Sequence, residues 1–206
     1  MTTPQVLTLI RAIGSRDFIE AQHLLAVTPE LALESVDAGA TRQEATSYFF
    51  EEIRHYVYAG DTALHIASAA HHPDLVSKLL DHGADVAARN RRGAQALHYA
   101  ADGAAGSDDP GGQAAVIALL VAAGADPNAK DKSGVAPLHR AVRDRCSDAV
   151  RALLESGADP DLTNKSGSSP MKLATLTTGK SGSGSRRARE QQAMIIELLE
   201  SRGAKC

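Results

Sequence analysis

One eight-residue phrase recurs along this chain at nearly constant spacing, and that recurrence restricts the possible folds more than any other feature. The phrase spans Gly60–Ala67, and related phrases begin at Gly93, Gly134 and, more loosely, Gly167. Their leading glycines are 33, 41 and 33 residues apart. A unit of this length cannot bury both of its faces alone, so successive units must stack to form a shared core.

Each phrase has the features of a helix start, and a second phrase marks a helix end. Thr62 is a suitable N-cap residue, and Pro137 and Pro170 stand in a first turn, where a missing amide costs nothing. A glycine follows each downstream apolar helical pattern: Gly83, Gly124, Gly157 and Gly203. Such glycines end helices in the left-handed conformation. Each unit is therefore predicted to contain two short helices.

The two phrases, in this order and at this spacing, resemble the ankyrin repeat over residues 60–206. The resemblance implies an all-α repeat solenoid, an ankyrin stack of about five helix pairs with short β-hairpins. We predict a single domain over residues 1–206. Its segments are a capping helix pair (1–32), an insertion (33–59), three repeats (60–92, 93–133 and 134–166) and a fourth repeat that forms the C-terminal cap (167–206).

A histidine stands at the same place in three of the phrases, and Lys172 replaces it in the fourth: His65, His98 and His139. In ankyrin repeats this histidine holds the helix start through hydrogen bonds to neighbouring backbone. The resemblance therefore implies a structural role for the three histidines rather than a catalytic one. The cap that contains Lys172 is expected to be looser.

The insertion at residues 33–59 departs from the repeat pattern and carries most of the large aromatic side chains. Five of the seven Phe and Tyr residues lie there: Tyr48, Phe49, Phe50, Tyr56 and Tyr58. We expect strand-like backbone at Leu33–Asp37 and His55–Tyr58, with a short helix over Ser47–Ile53 between them. The insertion runs directly into Gly60, so it is predicted to enlarge the first hairpin. Packing, recognition and catalysis all remain open as its role.

Composition limits the remaining classes of function. The formal net charge of −3 does not indicate a nucleic-acid or membrane partner, and no apolar run is long enough to span a membrane. Residues 1–103 hold 8 Lys/Arg against 13 Asp/Glu, whereas residues 104–206 hold 14 against 12. The two cysteines form no disulfide framework, which favours a cytoplasmic location. We predict no metal and no cofactor, and the oligomeric state stays undetermined. Longer linkers at 103–112 and 177–187 separate the helices of two repeats.

The resemblance also indicates where a partner binds, since ankyrin proteins use their hairpin tips and inner helices to line a concave groove. Carried onto this chain, and extended by the aromatic insertion, the predicted partner-binding residues are Tyr56, Tyr58, Arg91, Arg92, Tyr99, Lys132, Arg140, Arg143 and Lys165. Six of them are cationic, and Arg binds carboxylate or phosphate in a bidentate manner. We therefore predict a non-enzymatic module that binds a protein or an acidic peptide.

A pocket between residues 43–58 and the inner helices would support two other functions. One is the binding of a small molecule, in particular an anion, by the aromatic residues together with the arginines. The other is catalysis, for which His55, Glu52 and Tyr56 are the candidate residues, with a His–Glu pair as a general base. Whether the chain is an enzyme is left open at this point.

Overall fold

The computed structural model describes residues 4–103, 110–176 and 185–205. These residues form short helices, two 3₁₀ turns at Pro29–Ala32 and Thr46–Tyr48, and a two-stranded hairpin. The helices are α1 (Pro4–Gly14), α2 (Phe18–Val27), α3 (Ala63–Ala69), α4 (Pro73–Asp81), α5 (Ala96–Ala101), α6 (Pro110–Ala122), α7 (Pro137–Arg143), α8 (Ser147–Glu155), α9 (Pro170–Thr175) and α10 (Arg186–Ser201). The strands are β1 (Phe49–Phe50) and β2 (His55–Tyr56). The predicted linkers at 103–112 and 177–187 lie largely outside the described residues.

The helices pack as antiparallel pairs in two layers. The inner layer places α1 on α3, α3 on α5, α5 on α7 and α7 on α9. In the outer layer α4 contacts α6, α6 contacts α8 and α8 contacts α10. Each pair therefore buries its apolar side against its neighbours along the stack, as the predicted repeat solenoid requires.

Small side chains allow these short helices to approach closely. The chain contains no Trp, and alanines such as Ala67, Ala100 and Ala141 are fully buried between the layers. Leu64, Leu97 and related leucines fill the remaining volume, and one continuous apolar core runs through the stack. Burial of apolar area is the main stabilising contribution here, at roughly 25 cal/mol per Å².

The three repeated histidines link each helix start to the next unit. In His65, Nδ1 accepts the Thr62 amide at 3.2 Å and Nε2 lies 3.2 Å from the Ala94 carbonyl oxygen of the following unit. His98 and His139 repeat this arrangement, with Val135 and Ser168 as the carbonyl acceptors. The hydrogen bonds select the neutral tautomer with its proton on Nε2. The structural role implied by the resemblance is confirmed.

Hairpin turns, which we call fingers, connect successive helix pairs and contact one another. In the second finger, the Asn90 amide donates to Ala94 O, and the Gly93 amide donates to Asn90 O. Neighbouring tips are joined by backbone hydrogen bonds from Arg91 to Ala59, from Lys132 to Arg92 and from Lys165 to Ser133. The finger tips therefore form a continuous row along one edge of the stack.

The insertion is an enlargement of the first finger. The Val36 amide donates to Asp61 O, and the Gly60 amide donates to Val36 O, which are the bonds that Asn90, Ala94 and Gly93 make in the second finger. Residues 37–59 therefore stand where residues 91 and 92 stand one unit later. The enlarged finger returns to the ordinary finger geometry at its base.

Within the insertion, the predicted helix over Ser47–Ile53 is wrong. The backbone forms the β1–β2 hairpin instead, with Phe49 opposite Tyr56 and Phe50 opposite His55. The rings of Phe49 and Tyr56 lie 4.6 Å apart between centroids, so the pair contributes cross-strand packing. In the region predicted to be strand-like at Leu33–Asp37, Ser35 forms an isolated antiparallel bridge with Thr62.

No helix among the described residues is long and apolar enough to cross a membrane. Within the same ranges, no group of three or more His, Cys, Asp or Glu side chains is placed to hold a metal ion.

Candidate functional site

The insertion folds back over the inner helices and is held at both ends. On one side, the ring of Phe50 lies against Gly14 at the end of α1, where an added Cβ atom would come within 2.6 Å of the ring. On the other side, the ring of His55 packs on Tyr99 of α5 at 4.1 Å between centroids. The insertion therefore covers the first part of the face that the inner helices would otherwise present to a partner.

A buried carboxylate, Asp61, lies beneath this cover at the base of the first finger. It is 0% exposed and accepts hydrogen bonds from Tyr99 Oη at 2.8 Å, Asn90 Nδ2 at 2.9 Å and the Tyr58 amide at 2.6 Å. Burial, and then the charge of Asp61, raise the pKa of Tyr99 well above its ordinary value, so its hydroxyl remains a donor. A buried charge is tolerated only when it is satisfied in this way.

A second polar group links the insertion to α5 and α7. Asp102 Oδ2 lies 3.1 Å from His55 Nε2 and 2.8 Å from Arg140 Nη1. Arg140 Nη2 is in turn 3.5 Å from Asp131 Oδ2 of the third finger. Burial raises the pKa of Asp102, but the hydrogen bond from His55 and the charge of Arg140 outweigh it, and the pKa falls below its ordinary value. Asp102 is therefore ionised at neutral pH.

Above these two groups lies a polar cleft with a volume of about 280 Å³. It is bounded by the insertion, the second and third fingers, α5 and α7. The residues that line it are Arg54, His55, Tyr56, Tyr58, Asn90, Arg92, Ala94, Tyr99, Asp102, Asp131, Ser133, Val135, Arg140 and Arg143. Four arginines thus meet at one place, although they come from three segments that are far apart in the sequence.

The structure brings most of the predicted partner-binding residues into or beside this cleft. Tyr56, Tyr58, Arg92, Arg140 and Arg143 line it. Arg92 donates to Tyr58 Oη at 3.0 Å, with its guanidinium carbon 5.0 Å from the centre of the ring. The other three predicted cations, Arg91, Lys132 and Lys165, are exposed along the row of finger tips.

The prediction that Tyr99 contacts a partner does not agree with its position in the structure. It touches the floor of the cleft but is 1% exposed, and its hydroxyl is committed to Asp61. The covering insertion is the physical reason, because it buries inner-helix positions that are open in an uncovered stack. Arg140 is also less free than predicted, since Asp102 and Asp131 both face its guanidinium group.

The proposed His–Glu pair does not form. Glu52 is exposed, and its backbone carbonyl oxygen accepts a hydrogen bond from Arg16 Nε at 3.3 Å. The carboxylate beside His55 is Asp102. His55 Nδ1 lies 2.9 Å from the Tyr56 carbonyl oxygen, and Nε2 faces Asp102, so both ring nitrogens face acceptors. Only the imidazolium form can donate to both, and neither nitrogen is free to take a proton from a substrate.

Sequence reasoning missed Asn90, Asp131 and Arg54 as parts of this site. Asn90 and Asp131 were detectable, because each stands three residues before a leading glycine, as Asn164 does in the next unit. The side-chain oxygen of Asn90 accepts the amides of Arg92 and Ala94, and Asp131 and Asn164 repeat this turn. Arg54 belongs to the turn between β1 and β2, where its φ is 48°, and nothing in the sequence indicated its place.

Helix pairs stacked in two layers, with fingers that touch tip to tip, define a solenoid repeat protein. A family model described as ankyrin repeats (3 copies) matches residues 27–131, and one described as ankyrin repeats (many copies) matches residues 120–174. The first match covers more than half of the chain, and the chain belongs to the ankyrin repeat family. That match begins at residue 27, so it also includes the insertion, ahead of the predicted region 60–206.

A similar curated protein is Ankyrin repeat and SOCS box protein 16 of Mus musculus. It is 39% identical over 93 residues, which make up 45% of this chain and 20% of that protein. The chain thus spans about a fifth of the length of this relative.

Proposed function

We propose that this chain is a non-enzymatic interaction module that binds an acidic segment of a partner protein at the cleft beneath the first finger. Ankyrin repeats generally act as protein–protein interaction modules, and the proposal concerns which surface acts here. The observation that carries it is the charge of the cleft, where four arginines face two carboxylates. A bound acidic segment would complement this excess of positive charge.

The row of finger tips supports an extended partner rather than a single contact. Arg91, Lys132 and Lys165 are exposed on neighbouring tips that are joined by backbone hydrogen bonds. A peptide anchored in the cleft can therefore continue along a row of cations. Such contacts steer association and weaken as salt is added. The small number of cysteines fits a partner in the cytoplasm.

A selection from displayed random dodecapeptides tests the proposal. We expect the wild-type chain to enrich Asp- and Glu-rich peptides, and Arg92→Ala/Arg143→Ala to lose that enrichment, because both arginines line the cleft. The matched control is Arg151→Ala/Arg187→Ala, which removes the same charge from exposed positions on α8 and α10. Enrichment of acidic peptides that is equal for the two double variants would refute the cleft as the site.

A further inference from the structure

The lining of the cleft contains more arginines than carboxylates. Arg54, Arg92, Arg140 and Arg143 line it together with Asp102 and Asp131, while Asp61 lies buried beneath its floor and Asp144 lies beside Arg143 outside the lining. A phosphate monoester carries about −1.5 to −2 charge at neutral pH and three acceptor oxygens, so it can engage more of these arginines than one carboxylate can.

The two carboxylates hold the arginines in place. Asp131 Oδ1 accepts the amides of Ser133 and Val135, and its Oδ2 faces Arg140. Asp102 Oδ2 accepts from His55 and Arg140. Both acids therefore bind groups of the chain itself through Oδ2, while Asp102 Oδ1 has Arg143 at 3.9 Å and no hydrogen-bond partner among the described residues. Their effect is to fix Arg140 beneath the cleft, which reduces the entropy lost when a ligand binds.

Donors remain available around the mouth of the cleft. Arg143 is 58% exposed and lies 3.9 Å from Asp102 Oδ1, beyond hydrogen-bond distance, while its Nε lies 3.3 Å from Asp144. Arg92 uses Nη1 to reach Tyr58 Oη, and the Tyr58 hydroxyl keeps its own proton to donate. Ser133, which belongs to the third finger, also lines the cleft and carries a hydroxyl group. A tetrahedral group with three acceptor oxygens matches such a set of converging donors.

We propose that the cleft receives a phosphorylated serine or threonine side chain of the partner segment. This inference rests on the proposed function and narrows it, because it states which acidic group enters the cleft. Acidic residues on one side of the phosphorylated residue then lie along Lys132 and Lys165. Arg forks bind phosphate in a bidentate manner, and a phosphate ester is larger and more highly charged than a carboxylate.

Binding of synthetic peptide pools tests this inference. Three fluorescein-labelled pools share degenerate flanks and differ only at a fixed central residue, which is phosphoserine, glutamate or serine. We expect the phosphoserine pool to bind at least about tenfold more tightly than the glutamate pool, and Arg92→Ala and Arg143→Ala each to remove most of that difference. Lys165→Ala, a finger cation outside the lining of the cleft, serves as the control and should keep the preference. Circular dichroism confirms that each variant is folded.

The outcomes separate this inference from the proposed function. Equal binding of the phosphoserine and glutamate pools, both above the serine pool, overturns the phosphate inference and leaves the acidic-segment proposal in place. Equal binding of all three pools overturns both. Inorganic phosphate is the competitor in a further arm. Complete displacement at a phosphate concentration comparable to that of the peptide would identify a free phosphate compound as the ligand, and would overturn a peptide-borne phosphate.

Discussion

At the residue scale, the repeated histidines show how one side chain can connect two units. Each imidazole accepts an amide within its own unit through Nδ1 and reaches a carbonyl of the next unit through Nε2. Protonation of Nδ1 would turn this acceptor into a donor, and its N–H would then face the N–H of the amide that it binds. Burial, followed by the charge of Arg140, lowers the pKa of His98 to about 4.

Stability should therefore fall as the pH falls. The pKa of His98 is depressed in the folded chain, so the unfolded chain binds the extra proton between about pH 6.5 and about pH 4. The free energy of unfolding is at its full value above this window and is lost as pH drops through it, by up to about 1.4 kcal/mol per pH unit for this histidine. Urea unfolding of wild type and His98→Gln at several pH values measures the slopes. His82→Gln, at an exposed position, is the control; identical slopes for wild type and His98→Gln would disprove the assignment.

The hydroxyl of Tyr99 should contribute more to stability than that of Tyr58. Tyr99→Phe removes a hydrogen bond to the fully buried Asp61 carboxylate, with an expected loss of about 1.5–3 kcal/mol in the free energy of unfolding. Tyr58→Phe removes only the acceptor for the exposed Arg92, with an expected loss of about 0.5 kcal/mol. Denaturant unfolding of both variants gives the comparison, and losses of equal size would contradict the importance of the buried group.

At the scale of elements, the insertion is positioned by two contacts that are distant in sequence. Phe50 sits on the glycine that ends α1, and His55 sits on α5. Alanine is ordinarily more stable than glycine at a helical position by roughly 0.5–1 kcal/mol. At Gly14 we expect alanine to be less stable than glycine, because a Cβ atom would meet the Phe50 ring at 2.6 Å.

Gly14→Ala is accordingly expected to destabilise the chain by about 1–3 kcal/mol. The cause is tested by a double-mutant cycle with Phe50→Ala, since removal of the ring removes the clash. In the Phe50→Ala background, Gly14→Ala should be neutral or stabilising. A penalty of the same size in both backgrounds would mean that the ring is not the obstacle.

The repeated helices could be predicted from the sequence, whereas the backbone inside the insertion could not. Thr62, Pro137 and the helix-ending glycines carry local signals that recur in each unit, so their helices could be predicted from residue type and spacing. Over Ser47–Ile53 the local pattern favoured a helix, and the hairpin pairing with residues 55 and 56 prevailed. The contacts of His55 with Asp102 and of Phe50 with Gly14 depend on how the finger folds back, and no local pattern encodes them.

The candidate site could also be predicted only in part from the sequence. Finger tips and inner-helix positions follow from the repeat register, so Arg92, Arg140 and Arg143 could be assigned to one face before their geometry was known. Their pairing with Asp102 and Asp131 could not, because ion pairs depend on side-chain positions in three dimensions. The burial of Tyr99 follows from the cover that the insertion provides.

At the scale of the whole molecule, the last helix start is held differently from the three before it. The histidine bridges run from His65, His98 and His139 to the following unit, whereas at the last helix start the Ser169 hydroxyl accepts the amide of Lys172. The stability of a repeat protein is approximately a sum of the stabilities of its units and of the interfaces between neighbouring units. The last helix start is held by a cap within its own unit, so α9 is expected to open more easily than the helices whose histidine cap also binds the following unit.

Hydrogen exchange measured by mass spectrometry should show this difference directly. We expect amides of α9 to exchange faster than those of α5 and α7, because α9 opens without unfolding its neighbours. Disruption of the His139 bridge, by His139→Ala, should increase the rate in α9 further and leave α3 nearly unchanged. Equal protection of α3, α5, α7 and α9 would indicate a single cooperative unit instead.

The hydrogen bonds at the base of the first finger also make this chain a candidate scaffold for engineering. Val36, Gly60 and Asp61 close the enlarged finger with the same backbone bonds that close a finger with two residues at its tip. The enlarged finger and the repeat therefore meet at the same pair of anchor points as an ordinary finger does. Since the entropic cost of closing a loop grows slowly with its length, we expect loops of other lengths to close between Val36 and Gly60, provided that they replace the core packing of Ile53 and Val57.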